Sequence, residues 1–420
     1  MPGFRRFGRT KIVLLLLVAL YVGRPAYYSL SVWLSPESIG DRACPPGAKG
    51  DPDADAPRHR ISGTIKTIQL TDAGAYVNRC QLTAALVEFT RLRRGVDDVG
   101  KKLVVIYVHG WRNDERTTDG DYVSFKKLID DLTRANEHRK HVVGIYVSWK
   151  ARSDNPVLGL VNFWSRMFAA DRIAQSGTVA SIIGAASNIV RTNNHDSELI
   201  AIGHSFGARI LFSSVQQNFL YALARAHPGY RGGTYAKIEP IADGVILLNP
   251  AFEASMYTRL DAQRRLQEKF NPHQPPLLVV ISSKADLATR AAFPFGRWLA
   301  GWLPWNELVT VGNNPEYWTH DLRRSEQCQT KERLDFWAGF SHKGLCMTHR
   351  VGVPFPFHMV TTDASIINGH SDIWNPEFSD FLFELVKKMS ERARPPAYTQ
   401  GSMTVDQPEA DMTTVPLNPH

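Results

Sequence analysis

Apolar residues along this chain come in two alternating rhythms. One is an unbroken run rich in β-branched residues, as in "LVVIYVHG" at 103–110, which predicts a strand buried on both faces. The other is a stripe at helical spacing. "YVSFKKLIDDLTRA" sets Phe125, Leu128, Ile129 and Leu132 on one side of a helix. "HVVGIYVSW" predicts the next strand, and a long helical stretch follows over about 165–190. "ELIAIG" is a strand again, with the helix "ARILFSSVQQNFLYALARA" behind it, and "ADGVILLNP", "PLLVVISS" and "FHMVTTD" read as further strands. Buried strands separated by helices predict an α/β class fold, a mostly parallel, doubly wound sheet with helices on both faces. Only the segment before residue 103 gives no clear strand assignment.

The rhythm is absent at both ends. Residues 35–60, "SPESIGDRACPPGAKGDPDADAPRHR", are rich in Pro, Gly and Asp, and predict a linker. Residues 392–420 share that composition and predict a disordered tail. Residues 1–34 open with Arg5, Arg6, Arg9 and Lys11 and continue into "KIVLLLLVALYVG", the layout of a signal anchor or a cleaved signal peptide. Ala26 has Arg24 two residues before it and Gly23 has Tyr21, so neither offers the small-residue pattern of a cleavage site, which favours the anchor. Basic residues on the near side predict a body, residues 61–391, held outside the cytoplasm, or secreted if the segment is cleaved.

Composition changes this picture little. The chain has 420 residues, 43% hydrophobic and 21% charged, ordinary for a protein with a large core. Its formal charge of +8 owes four units to the N-terminal basic stretch, and no basic stripe interleaved with aromatics exists elsewhere, so no nucleic-acid partner is expected. The four cysteines, Cys44, Cys80, Cys328 and Cys346, admit three pairings, and closeness in sequence favours Cys44 with Cys80 and Cys328 with Cys346. Four reduced, buried thiols are the competing reading. None lies in a C-x-x-C pair, and His138 and His141 have no nearby ligands, so neither metal nor cofactor is expected.

The candidate chemistry sits after predicted strands, where the active residues of a parallel sheet gather. Ser205 lies between Gly203 and Gly207 in "GHSFG", after "ELIAIG" and before a helix; a sharp turn of this kind presents a serine hydroxyl. Asp286 follows the strand "PLLVVISS", and His370 stands in "SIINGHSDIW" beyond "FHMVTTD". Their order and chemistry assign Ser205 as nucleophile, His370 as its base and Asp286 as the acid that orients the imidazole. An oxyanion would need backbone N–H donors, for which Phe206 and Trp111 are the candidates. Each role has rivals: Asp243, Asp321 and Asp335 for the acid, His320, His342, His349 and His358 for the base. His109 reads as loop-shaping, His204 as packing or bonding locally, and Asp372 as too near His370 in sequence to be its main acid.

On "VHGW", "GHSFG", the Asp286 loop and the Gly369–His370 pair, residues 103–388 resemble the α/β-hydrolase serine esterases and lipases. "YVHGW", "GIYVSWKA", "FWSRMFAADRI" and "GHSDIW" look like a poorly characterised group of predicted bacterial and fungal hydrolases, which implies no particular substrate. The resemblance implies an α/β-hydrolase fold and an acyl-enzyme on Ser205. The 84 positions separating Asp286 from His370 exceed a simple crossover and predict an insertion at about 287–350. It carries Trp298, Trp302, Trp305, Trp318 and Trp337, either as a lid or acyl pocket or as packing against the body. The expected function is hydrolysis of hydrophobic or lipid-like carboxylic esters. An amidase or acyltransferase is the second reading, and a non-catalytic tethered binding domain the third.

Overall fold

The computed structural model describes residues 63–90, 101–151, 159–226, 238–299, 303–325, 334–350 and 355–391, interrupted at 112, 115, 117, 138, 194–196, 266–269, 271–274 and 336–338. The predicted anchor, linker and tail lie outside the described residues. The strands, in chain order, are β1 (Thr64–Leu70), β2 (Lys102–Val108), β3 (His141–Trp149), β4 (Glu198–His204), β5 (Gly244–Leu248), β6 (Leu278–Ser283), β7 (His320–Arg324), β8 (Leu334–Asp335), β9 (Gly339–His342), β10 (Leu345–His349) and β11 (Phe357–Thr362). The α-helices are α1 (Arg79–Thr90), α2 (Gly120–Ala135), α3 (Gly159–Gln175), α4 (Thr178–Asn193), α5 (Phe206–Arg225), α6 (Thr258–Arg265), α7 (Phe293–Leu299), α8 (Trp305–Leu308) and α9 (Pro376–Ser390).

Among the described residues, eleven strands form one sheet in the order β1-β3-β2-β4-β5-β6-β11-β7-β10-β9-β8. From β1 to β7 every neighbouring pair is parallel, and β10, β9 and β8 then continue antiparallel. The unbroken apolar runs occupy the middle because both faces there are covered. On β2, Val104, Ile106 and Val108 join one core layer with Ile182 of α4 and Phe212 of α5. Leu103, Val105 and Tyr107 point the other way, into a second layer with Phe125 of α2 and Phe381 of α9. Each such aliphatic side chain contributes about 1.5–3 kcal/mol by leaving water. Register aligns the strand ends: His204 pairs with Leu248, Leu248 with Ile281, and Ser283 with Thr362. Loops after β4, β6 and β11 therefore leave the sheet from one edge.

Three features depart from the sequence pattern. The single helical stretch expected over 165–190 is two helices, α3 and α4, bent by 45°. Gly177, between them, adopts a φ of +73°, and the Ser176 hydroxyl accepts the Thr178 N–H that α4 leaves open. The insertion, second, supplies β7 to β10 from its later part, and these strands widen the sheet. Third, β1 adds a parallel edge strand beside β3, in a segment whose apolar pattern predicts no clear strand.

Cys80 on α1 and Cys346 on β10 are both disulfide-bonded, which sets aside the reading of four reduced thiols. They stand toward opposite edges of the sheet, so they are not joined to each other. Cys44 and Cys328 lie outside the described residues. Among those residues no single helix is long and apolar enough to cross a membrane; α3 and α4 pass that test only as a bent pair. Ile173, Val179 and Ile183 on this pair belong to the core.

Candidate active site

Ser205 occupies the turn between β4 and α5 with φ 56° and ψ −121°, a conformation that costs a serine on the order of 1–3 kcal/mol. The surroundings enforce it. The Ser205 N–H donates to the Leu248 carbonyl at 3.1 Å, and the Ala251 N–H donates to the Ser205 carbonyl at 3.1 Å. Gly207 shows why a side chain is absent two residues on: a Cβ there would lie 2.1 Å from the Val108 carbonyl oxygen and 2.4 Å from that of His109. That contact sets the first turn of α5 against the end of β2 and brings the following loop over the serine. Gly110 sits so close that a Cβ on it would approach Ser205 Cβ to 2.9 Å.

Asp286 and His370 reach the same spot from later strands. His370 Nε2 lies 2.7 Å from Ser205 Oγ, and His370 Nδ1 lies 2.8 Å from Asp286 Oδ2. Asp286 is fully buried and accepts three further hydrogen bonds: from the Ala288 N–H at 2.9 Å, the Thr289 N–H at 3.2 Å and the Thr289 hydroxyl at 2.7 Å. Burial alone would push its carboxyl up, but the His370 ring and the Thr289 donors outweigh this and hold it below the ordinary carboxylate value. An ionised Asp286 accepts the hydrogen bond from the Nδ1–H, which leaves the Nε2 lone pair facing the serine. Serine on a strained turn after a central strand, acid after β6 and histidine after β11 share one sheet edge. The fold is that of an α/β-hydrolase.

No protein-family model matches this chain, and no curated protein matches it. Among solved structures, it is similar to the phospholipase PlaB from Legionella pneumophila in complex with thio-NAD, at 14% identity and a TM-score of 0.31, over 68% of this chain and 59% of that one. It is also similar to an acetyl xylan esterase, at 13% identity and a TM-score of 0.19, over 35% of this chain and 63% of that one. The chain thus spans about six-tenths of the length of each of these proteins.

The rival residues stand elsewhere. Asp243 accepts the Leu199 N–H at 2.8 Å, at the opposite end of β4 from Ser205. Asp321 is held by Arg350, at 2.6 and 2.8 Å, and Asp335 lies in β8 at the far edge of the sheet. His342 bonds Asp380, while His320, His349 and His358 gather around β7. Asp372 Oδ2 accepts the Asn368 N–H at 2.7 Å and so shapes the loop around His370 without reaching its ring. His109 is a loop-shaping residue as expected. Its Nε2 accepts the Trp149 N–H at 3.1 Å, leaving Nδ1 to donate to the Gly110 carbonyl at 2.9 Å. His204 corrects the expectation of a purely local role: its Nε2 lies 3.0 Å from the His370 carbonyl, 166 residues away. Asn249, which the sequence reading passed over, donates to the same carbonyl at 3.0 Å and to that of Gly369 at 3.2 Å. Its place right after β5, on the edge that carries the other site residues, was the available signal.

Phe206 opens α5, where an N–H has no helical carbonyl to meet, and Trp111 follows the Gly110 contact on the other side of Ser205. Their side chains continue an aromatic wall. The Phe163 ring lies 5.4 Å from Phe206, 6.2 Å from Trp111 and 6.0 Å from Phe293 of the insertion. On the insertion, Trp298 and Trp305 are 58% and 64% exposed, while Trp302 and Trp337 lie outside the described residues. Helix α7 is fastened to the body. Arg297 pairs with the buried Glu253 at 3.1 Å and with Glu307 at 3.1 Å, and Glu253 also pairs with the buried Arg209 at 2.5 Å.

Proposed function

We propose that this chain is a serine hydrolase that cleaves carboxylic esters with apolar acyl groups through an acyl-enzyme on Ser205. The hydrogen-bonded series Ser205, His370, Asp286, at 2.7 and 2.8 Å, carries the reading. His370 takes the hydroxyl proton as Ser205 Oγ attacks the ester carbonyl, then returns it to the departing alcohol. Water, deprotonated by the same Nε2, attacks the acyl-enzyme, releases the acid and restores the serine. Backbone N–H groups of Phe206 and Trp111 stabilise the oxyanion, each worth roughly 3–4 kcal/mol in the transition state. The wall of Trp111, Phe163, Phe206 and Phe293 supports an apolar acyl chain. Disulfides at Cys80 and Cys346 favour an oxidising compartment. Together with the N-terminal signal in the sequence, they support a body outside the cytoplasm, either membrane-anchored or secreted.

Labelling with a fluorophosphonate tests the chemistry. The full chain is expected to take one adduct, on Ser205, and to hydrolyse p-nitrophenyl esters with a preference for medium or long acyl chains. Ser205→Ala should lose the adduct and about 10³-fold or more in kcat/KM. An adduct elsewhere, or turnover retained in Ser205→Ala, would overturn the reading.

A further inference from the structure

Directly beneath the serine lies a second acid and a second histidine that the proposed reaction does not use. His204, the residue before the nucleophile, is 2% exposed, and its ring centroid stands 5.0 Å from that of His370. Its Nε2–H donates to the His370 backbone carbonyl at 3.0 Å. Its Nδ1 faces Asp121 Oδ2 at 3.6 Å.

Asp121 is itself buried and collects donors from three other places. The Tyr107 hydroxyl of β2 donates to Oδ2 at 2.7 Å, and Asn113 Nδ2 donates to the same oxygen at 2.8 Å. Trp374 Nε1 donates to Oδ1 at 3.0 Å. Burial pushes the Asp121 carboxyl up, yet the His204 ring and the Tyr107 hydroxyl hold it below its ordinary value. These donors are not scattered. Asn113 follows Trp111 by two residues on the oxyanion-side loop, Trp374 follows His370 by four, and His204 adjoins Ser205. One carboxylate thus ties together the three segments that must keep register for acyl transfer. A buried acid of this kind costs several kcal/mol to desolvate, and apolar side chains fill such space without that cost.

We infer that Asp121 and His204 are positioning residues: a second acid–histidine pair that fixes the His370 loop against the nucleophile turn through the His370 carbonyl. The pair does not touch substrate and moves no proton in the reaction. It sets the Nε2–Oγ approach, an alignment in which an error of about 1 Å is worth on the order of 10²-fold in rate. This inference rests on the roles proposed for Ser205 and His370.

The test uses the full chain and two readouts: the rate of fluorophosphonate labelling, and the imidazole N–H resonance of His370 in protein labelled with ¹⁵N-histidine. His204→Ala and Asp121→Asn should slow labelling about 10- to 100-fold and shift or broaden the His370 resonance. His204→Gln returns an N–H donor near the Nε2 position and should recover most of both. Trp374→Phe keeps the ring against Tyr107, removes one donor to Asp121, and should give a smaller change in the same direction; it and His204→Gln carry the test if His204→Ala does not fold. Labelling at the unmodified rate with an unmoved His370 resonance in His204→Ala would overturn the inference. So would a His204→Gln as impaired as His204→Ala. If Ser205 proves not to be the labelled residue, the resonance still decides: movement supports the pair's positioning role and constancy refutes it.

Discussion

At the scale of single residues, the site depends on how one carboxylate is surrounded. Asp286 is fully buried, and both its oxygens are occupied, Oδ1 by two backbone N–H groups and Oδ2 by Thr289 and His370. This crowding fixes the direction of the His370 ring as well as its tautomer. Asparagine in its place keeps the volume but presents either a neutral oxygen or a donor to Nδ1, and an N–H there drives the imidazole proton to Nε2, against the serine. Asp286→Asn is therefore expected to lower kcat by about 10³- to 10⁴-fold with little change in KM. Steady-state kinetics on a p-nitrophenyl ester measures this, and a loss under tenfold would show that another group orients His370. Asp372 is poorly placed to take over, because Oδ2 is bonded to the Asn368 N–H.

Elements meet the site through close backbone contact, and Gly207 is the tightest example. Any Cβ at this position collides with the carbonyls of Val108 and His109, which are backbone and cannot swing aside. Gly207→Ala should push α5 away from the end of β2, move the Gly110–Trp111 loop relative to Ser205, and cost about 1–3 kcal/mol in stability. The expected result is a lower urea midpoint together with a larger fractional loss of labelling than of stability. Unaltered labelling in a destabilised variant would show that the loop moves with the helix. The same contacts explain what was legible in the sequence. Strands β2 to β6 stood out because burial on both faces leaves no polar position to break the run. Strands β7, "HDLRR", and β9, "GFSH", carry no such run, since their burial comes from neighbours distant in sequence. Ser205, Asp286 and His370 were findable because each follows a legible strand. Asp121 was not: it sits in the polar start of α2, where an acidic residue reads as an ordinary helix-terminus preference, and its partners come from four separate segments.

Across the whole molecule, the parallel body and the antiparallel extension meet at β7, and three histidines line that seam. The ring of His320 on β7 stacks on His358 of β11 at 4.1 Å and lies 5.1 Å from His349 of β10. Thr319 supplies its hydroxyl to His320 Nδ1 at 2.8 Å, and the nearest acid on β7, Asp321, is taken up by Arg350 and Arg323. Burial lowers His358 from the ordinary value to about 3, with His349 nearby adding to the effect, and burial and the adjacent imidazoles lower His320 further in the same direction. Depressed folded values mean that the unfolded chain binds protons first, so the stabilisation is complete above about pH 6.5 and is lost as the pH falls from there toward the folded values. At pH 5, His358 alone accounts for a loss of about 2 kcal/mol relative to pH 7. Urea unfolding should show that decline, and hydrogen exchange should place the earliest opening in β7 and β10. His358→Leu removes one titrating ring from the seam, so its stability should fall less steeply between pH 7 and 5. An unchanged slope in that variant would locate the acid-sensitive protons outside the seam.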